Sequence, residues 1–297
     1  MNENEFILQD RLGVIRDTIH KYGEEKFYIS FSGGKDSTVV HHLVDMALPG
    51  NKIPRVFSNT GIEYNAIVEF VQEREREDDR FVLIRPSHNI KQTLEKYGYP
   101  FKSKLHSKWV SNYQRNGMHP AIKNYIDEGE KSLYRPCPKS LRYQFSDGFK
   151  LKVSDMCCVK MKEEPLAKWE KENKRPYGIL GIMQEEGGRR YNSGCLAFRG
   201  GKLKHFQPLA KVTTSWEKWF IDNYNIQLCK LYYEPYNFIR TGCKGCPFAL
   251  SLEKDLATMQ KYFPSEYAQC EIIWKPVYEE YRRLGYRLKR EEQTKLF

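Results

Sequence analysis

Two groups of residues in this chain have types and spacings suited to chemistry. One is the glycine turn Ser32-Gly33-Gly34-Lys35-Asp36-Ser37; the other is a pair of cysteine pairs, Cys157-Cys158 and Cys243-Lys244-Gly245-Cys246. The turn follows an apolar run, Phe27 to Phe31, and leads into an amphipathic segment from Thr38, an order that predicts strand, turn and helix N-terminus. Adjacent glycines let backbone N–H groups converge on an anion, and the positive end of the helix dipole favours phosphate or sulfate there. Lys35 adds a cation, and Ser32, Ser37 and Thr38 add hydroxyls. The spacing is not that of a Walker A loop, which places a glycine immediately before Lys-Ser/Thr after a longer spacer.

The four cysteines make a second candidate centre. A cubane [4Fe–4S] cluster takes one thiolate per iron, and a C-x-x-C turn presents two of them on one side. A vicinal pair supplies two more only with an unusual backbone, a poor match to a tetrahedral zinc knuckle. Zinc, and purely structural or redox thiols, stay open as alternatives. Of Cys137, Cys195, Cys229 and Cys270, most read as core residues. Cys195 is the exception: it follows Gly194 just beyond Arg189-Arg190, a basic turn that would favour a thiolate, so it is a candidate nucleophile.

These groups need a scaffold. Phe6, Ile7, Leu8, Leu12, Ile15 and Ile19 share one face of a first helix stopped at Gly23, and Val39, Val40, Leu43, Val44 and Ala47 share one face of the helix after the turn. Arg55 to Ser58 and Phe81 to Ile84 read as strands around a helix over Asn65 to Glu77, whose charged end is solvated. The alternation predicts an α/β fold, a Rossmann-like doubly wound parallel sheet with ligands at the strand C-terminal ends. A further strand is expected over Tyr177 to Met183, a capping box at Thr214 and Glu217, and helices over 251–263 and 265–284. The expected division is a nucleotide-binding domain over 1–205, with an irregular insertion at about 97–155, and a helical C-terminal part over 206–297 that carries the C-x-x-C pair.

The chain has 297 residues and a net charge of +11, with a pI near 9.1. Basic residues gather in Lys139 to Lys152, Lys160 to Arg175, Arg189 to His205 and Arg282 to Arg290, a pattern that suits an anionic partner, nucleotide or nucleic acid. No apolar run has the length of a membrane span and no signal-like leader is evident, so a cytoplasmic protein without a membrane partner is expected. In that reducing compartment, eight cysteines read as ligands, catalytic thiols or core rather than disulfides.

The hexapeptide in its strand-helix setting resembles the PP-loop of N-type ATP pyrophosphatases, and the chain as a whole resembles the phosphoadenylylsulfate reductase family of the adenine-nucleotide α-hydrolase-like superfamily. The resemblance runs from Phe27 to about Tyr281. It is carried by Ser32 to Ser37, Val56 to Tyr64 with its Thr60-Gly61-Ile62-Glu63, Ser154 to Cys158, Gly181 to Arg190, and Arg240-Thr241-Gly242-Cys243-Lys244-Gly245-Cys246-Pro247. It implies nucleotide contacts from Ser32, Gly33, Gly34, Lys35, Asp36, Ser37, Thr60, Gly61, Glu63, Arg189 and Arg190. It further implies catalytic roles at Lys35 and Asp36, and a [4Fe–4S] cluster on Cys157, Cys158, Cys243 and Cys246.

The Glu-Cys-Gly-(Leu/Ile)-His motif of the sulfate-reducing members does not occur in these 297 residues, and Asn59 and Glu185-Glu186-Gly187 depart from the family pattern. The first functional expectation is therefore an ATP pyrophosphatase with Mg²⁺ that adenylates an acceptor for sulfur transfer to tRNA or DNA. The alternatives are a reductase of adenylylsulfate or phosphoadenylylsulfate with Cys195 as nucleophile, and a non-catalytic nucleotide-binding redox module. A sulfur or electron donor protein would be a partner, and a homodimer is compatible with the resemblance.

Overall fold

The computed structural model describes residues 2–127, 136–186 and 194–290. In chain order the elements are α1 (Glu3–Tyr22), β1 (Phe27–Ser30), α2 (Lys35–Ala47), β2 (Arg55–Ser58), α3 (Asn65–Glu77), β3 (Phe81–Ile84), α4 (Ile90–Tyr97), α5 (Lys104–Asn116), α6 (Pro120–Ile126) and α7 (Met156–Cys158). After α7 come α8 (Glu164–Glu172), β4 (Tyr177–Ile179), β5 (Leu196–Arg199), β6 (Lys202–Phe206), α9 (Thr214–Asn223), α10 (Leu252–Tyr262), α11 (Pro264–Ile273) and α12 (Lys275–Leu284).

The six strands form one sheet in the order β3-β2-β1-β4-β6-β5, all parallel except β5, which runs antiparallel to β6 at the edge. Alternation along β1 sends Phe27 and Ile29 to one face and Tyr28 to the other. The first face buries Val39, Val40, Leu43 and Val44 of α2 with Leu8, Leu12, Ile15 and Ile19 of α1 and Trp216 and Phe220 of α9. The second packs Tyr28 and Val56 against Trp169 of α8. Because β2 and β3 lie on one side of β1 and β4 on the other, the sheet changes direction of winding between β1 and β4. In open α/β sheets that is where a crevice forms beyond the strand ends.

The described residues divide into two compact units. One takes Met1–Asn59, Glu63–Arg85 and Glu164–Thr241 and contains the sheet; the other takes Thr60–Ile62, Pro86–Glu163 and Gly242–Phe297. Residues from 206 to Thr241 belong to the unit that contains the sheet, where the apolar face of α9 is buried.

Local differences from the sequence pattern have local causes. Phe6 of α1 is exposed, because the buried stripe starts at Leu8. The stretch 97–155 contains α5 and α6, each with its own buried face, rather than irregular chain alone. The strand from Tyr177 ends at Ile179, although Leu180 N–H still reaches the Phe206 carbonyl at 2.8 Å. The long C-terminal helix is broken at Trp274, two residues before Pro276, whose ring cannot sit in a helix interior. The cap of α9 is Thr213, which accepts from Trp216 N–H at 3.2 Å; Thr214 is inside the helix and Glu217 is used elsewhere.

Candidate functional site

At the C-terminal end of β1 the chain turns through Ser32, Gly33 and Gly34 into α2, whose first residue is Lys35. Gly33 has φ +69°, and a Cβ there would stand 2.8 Å from Ile67 Cγ2, so only glycine fits the turn. The turn is braced from within. Ser32 N–H donates to Ser37 Oγ at 3.1 Å, while the hydroxyls of Ser37 and Thr38 donate to the Gly34 carbonyl at 2.9 and 3.0 Å. A cavity of about 240 Å³ opens over the turn, lined by Ser32, Gly34, Lys35, Asp36 and Ser37, by Gly181 and Ile182 after β4, and by Tyr232, Arg240 and Thr241. That volume falls below the ~300 Å³ of the smaller ligand pockets and suits phosphate groups rather than a whole nucleotide.

Three residues complete the turn from far along the sequence. Lys35 N–H donates to Tyr232 Oη at 3.0 Å, and that oxygen lies 2.6 Å from Thr241 Oγ1. Lys35 Nζ is paired with Glu217 Oε2 and lies 3.7 Å from Asp36 Oδ1. The Glu217 side chain is fully buried, and among the described residues its Oε1 has no hydrogen-bond partner. Burial first, then the charge of Asp36, raises the Glu217 carboxyl to about 7 against the opposing pull of Lys35.

In the second unit, Cys157 and Cys158 open a helix that passes through a π-wound stretch, Val159–Glu163. The π-wound stretch begins directly after the pair, and such stretches are frequent at functional sites. Cys243 and Cys246 sit in a turn closed by Cys246 N–H on the Cys243 carbonyl at 3.2 Å. Gly245 there has φ +62°, and a Cβ would meet Tyr278 Oη at 2.5 Å and Cys270 Sγ at 2.8 Å. The turn is held by α11 and α12: Tyr278 O–H donates to the Gly245 carbonyl, Trp274 Nε1–H to the Lys244 carbonyl at 3.1 Å, and Tyr281 O–H to the Pro247 carbonyl at 2.9 Å. Lys244 Nζ is buried in an ion pair with Glu266 at 3.2 Å.

The four thiols are close enough to perturb one another. The Cys157 thiol is pushed up by its hydrogen bond to Cys158, by burial and by the charges of Cys158, Cys246 and Cys243. The Cys158 thiol is lowered to about 7 by the hydrogen bond from Cys157, helped by Lys104 and Lys162 against burial. Burial, then Cys243, pushes Cys246 up to about 12. Among the described residues no group of three or more His, Cys, Asp or Glu side chains is arranged as a ready metal-ligand set. The donor chemistry nevertheless suits a thiolate-ligated group: four sulfurs within mutual electrostatic reach, beside two lysines that offset their charge.

The profile of the phosphoadenosine phosphosulfate reductase domain matches residues 26–132 and 131–249, three quarters of the chain. The chain belongs to that family. The curated uncharacterized protein MJ0066 of Methanocaldococcus jannaschii is 29% identical over 120 residues, which is 40% of this chain and 23% of that protein, so the match spans under a quarter of the relative's length.

Among solved structures, the phosphoadenylyl-sulfate reductase of Candida auris in its phosphate complex is similar at 11% identity and TM-score 0.45, over 78% of this chain and 91% of the other. The U34-tRNA thiolase NcsA of Methanococcus maripaludis with its [4Fe-4S] cluster is similar at 16% identity and TM-score 0.40, over 97% and 82% of the two chains. The NH3-dependent NAD synthetase of Campylobacter jejuni with nitrate is similar at 12% identity and TM-score 0.42, over 93% and 95%.

In this family member the loop residues Ser32, Gly34, Lys35, Asp36 and Ser37 line one cavity together, with Gly33 shaping the turn. Thr60, Gly61 and Glu63 are not among its lining residues. Thr60 and Glu63 are buried, and the Ile62 carbonyl between them accepts from Lys244 N–H at 2.7 Å. Cys195 precedes the edge strand β5 and packs against the α1 side of the core, where Arg11 Nη1–H points to its sulfur at 3.3 Å; it does not line the cavity. Arg189 and Arg190 lie outside the described residues. Sequence reasoning missed Glu217, Tyr232 and the cavity contributions of Arg240 and Thr241. Glu217 carried a signal, an acid three residues from a threonine, but the same spacing marks a helix cap.

Proposed function

We propose that the Ser32 to Ser37 turn binds the phosphate end of an adenine nucleotide, with ATP as the first candidate, and that the protein is an adenylating sulfur-transfer enzyme. The observation that carries this is the cavity at the β1/β4 switch point, where the first turn of α2 and Lys35 meet a space of phosphate size. An acceptor oxygen attacks the α-phosphorus and pyrophosphate leaves; sulfur then displaces AMP from the adenylated position, and Mg²⁺ would supply counter-charge to the pyrophosphate. The backbone N–H groups at Gly34 and Lys35 and the Lys35 ammonium take up charge on the departing pyrophosphate. Asp36 and Arg240 border the same space, Asp36 orienting Lys35.

Cys157, Cys158, Cys243 and Cys246 are the residues that would hold a [4Fe–4S] cluster. When bound, such a cluster supplies iron sites for sulfur or electron chemistry. Lys104 and Lys162 neutralise the surrounding charge. The basic surface, +11 overall, fits a nucleic acid such as tRNA or DNA as acceptor.

Membership of a family named for sulfate reduction favours a second reading, reduction of adenylylsulfate or phosphoadenylylsulfate. Cys195, beside Arg11 but outside the cavity lining, is then the candidate thiol: its attack on sulfur would form an S-sulfocysteine and release the adenosine phosphate, and a thiol reductant would then free sulfite. Anaerobic turnover with ATP plus RNA, adenylylsulfate and phosphoadenylylsulfate in parallel separates the two. Pyrophosphate release with ATP supports the first, whereas sulfite from an activated sulfate with no pyrophosphate from ATP rejects it. No described helix is long and apolar enough to cross a membrane.

A further inference from the structure

The loop that should attract an anion has its cation held by carboxyl groups rather than left for a ligand. Lys35 is its one side-chain cation from the turn, and it is shared by two carboxyl groups: Asp36 at 3.7 Å and Glu217, with which it is paired directly. With all three ionised the set sums to −1; Arg240, which also lines the cavity, offsets that charge but leaves Lys35 bound to the two carboxyl groups. Lys35 and Asp36 line the cavity, whereas Glu217 stands behind them with no exposed side-chain surface. Among the described residues its Oε1 has no hydrogen-bond donor, and Lys35 is the described cation paired with it. Trp216, its neighbour on α9, packs in the core with α1 and donates Nε1–H to the Asn4 carbonyl at 3.0 Å, contacts that bring no charge. Glu185, in the turn after β4, adds a further negative charge felt by Lys35.

We propose that Glu217 is the proton-exchanging positioning partner of Lys35, so that a phosphate-bearing ligand entering the cavity draws one proton from solvent onto the Glu217 carboxylate. When Lys35 turns its ammonium to the phosphate, Glu217 loses its compensating charge while a negative ligand arrives nearby. A buried carboxylate in that setting is stable only as the neutral acid. The step is a plain protonation, carboxylate plus a proton from water or buffer giving the carboxylic acid, with no other bond changed. Burial and Asp36 already hold the free-state carboxyl near neutrality, which makes the exchange accessible at physiological pH. The inference rests on the reading of the loop as a phosphate site, and it goes beyond that reading by naming a residue 182 positions from Lys35 as the one that sets its charge state.

The test is calorimetry of the full chain with ATP and with inorganic pyrophosphate, repeated in buffers of different ionisation heat so that protons taken up per ligand are counted. The difference between wild type and Glu217→Gln removes the protons of the ligand itself. Uptake attributable to Glu217 is expected to approach one proton above about pH 7 and to vanish at distinctly acidic pH, where the acid is already protonated in the free protein. Correspondingly, wild-type affinity should fall by up to about tenfold per pH unit more than that of Glu217→Gln on the alkaline side. Lys35→Met, which breaks the same pair from the other end, should also abolish the uptake, because its Glu217 is protonated before ligand arrives.

Equal proton counts in wild type and Glu217→Gln, or binding by wild type with no Glu217-dependent uptake, overturn the inference and leave the phosphate site standing. No binding of either ligand at any pH overturns the phosphate site and this inference with it. Should Glu217→Gln fail to fold, the difference between wild type and Lys35→Met supplies the same count.

Discussion

Each unit contains a glycine turn that carries a lysine paired with a distant glutamate, and the two pairs differ in where water reaches them. Lys244 and Glu266 in the thiol turn are both buried, with side-chain exposures of 3% and 8%. In the anion turn Glu217 is at 0% but Lys35 is at 22% and borders a cavity. A doubly buried pair fixes geometry and is costly to break from either side. A pair with one accessible end can exchange its partner for a ligand.

The tyrosines repeat the contrast. Tyr278 O–H is buried and donates to a carbonyl of the thiol turn, pinning it. Tyr232 is half-buried, and its oxygen accepts the Lys35 N–H that a phosphate oxygen would otherwise take. The thiol turn is thus built to hold still, and the anion turn to change partners.

The largest effect expected to distinguish the two is loss of iron. Cys157→Ser and Cys246→Ser should each strip most of the iron from anaerobically purified protein, read by metal analysis and visible absorption. Cys229→Ser should retain it, because the Cys229 thiol donates to the Ala66 carbonyl inside the sheet unit. Iron retained in Cys157→Ser would remove the thiol turn from any metal role.

Next in size, Lys35→Met should weaken ATP binding by roughly 10- to 100-fold, the worth of about 1.5–3 kcal/mol for a charged hydrogen bond, with little change in iron content. Parallel loss of iron would mean that the two turns do not act separately.

A pH series of thermal or denaturant unfolding sharpens the contrast between the glutamates. The folded-state Glu217 carboxyl lies at about 7 against an ordinary value of 4.5, so the fold binds its proton more tightly than the unfolded chain does. Its contribution is therefore fully present below about 4.5 and is lost as pH rises to about 7. Wild-type stability should fall relative to Glu217→Gln across that window by at most about 3 kcal/mol. A difference that grows with pH would contradict the buried, raised carboxyl.

The smallest effect comes from the tyrosines. Tyr278→Phe strands a buried carbonyl and should cost about 1–3 kcal/mol. Tyr232→Phe frees an N–H that faces the cavity, where water can take it, and should cost less than about 1 kcal/mol. Equal costs would erase the distinction drawn between the two turns.

Much of this was legible in the chain itself. The strand-turn-helix order at Ser32 to Ser37 follows from local apolar periodicity and adjacent glycines; β2, α3 and β3 formed where their patterns put them, and α2 begins at Lys35, ahead of its apolar face. The cap of α9 was misread because Thr213 and Thr214 are adjacent and a shift of one residue reassigns Glu217 from cap to site. Tyr232 and Thr241 carry no local pattern at all: an isolated tyrosine or threonine reads the same in a core, a cap or a site.

What the sequence determined by itself is the inventory: a helix N-terminus preset for an anion, four cysteines in two pairs, and the alternation that forces a parallel sheet. These depend on contacts within a few residues, which periodicity and spacing encode. The tertiary structure decided the electrostatics. It set a fully buried carboxylate from α9 on Lys35, a tyrosine hydroxyl on the first amide of α2, and Lys104 beside Cys158 from far along the chain. Burial and charge pairing belong to the folded surroundings of a group, and residues nearly 200 positions apart enter them only once the sheet has closed.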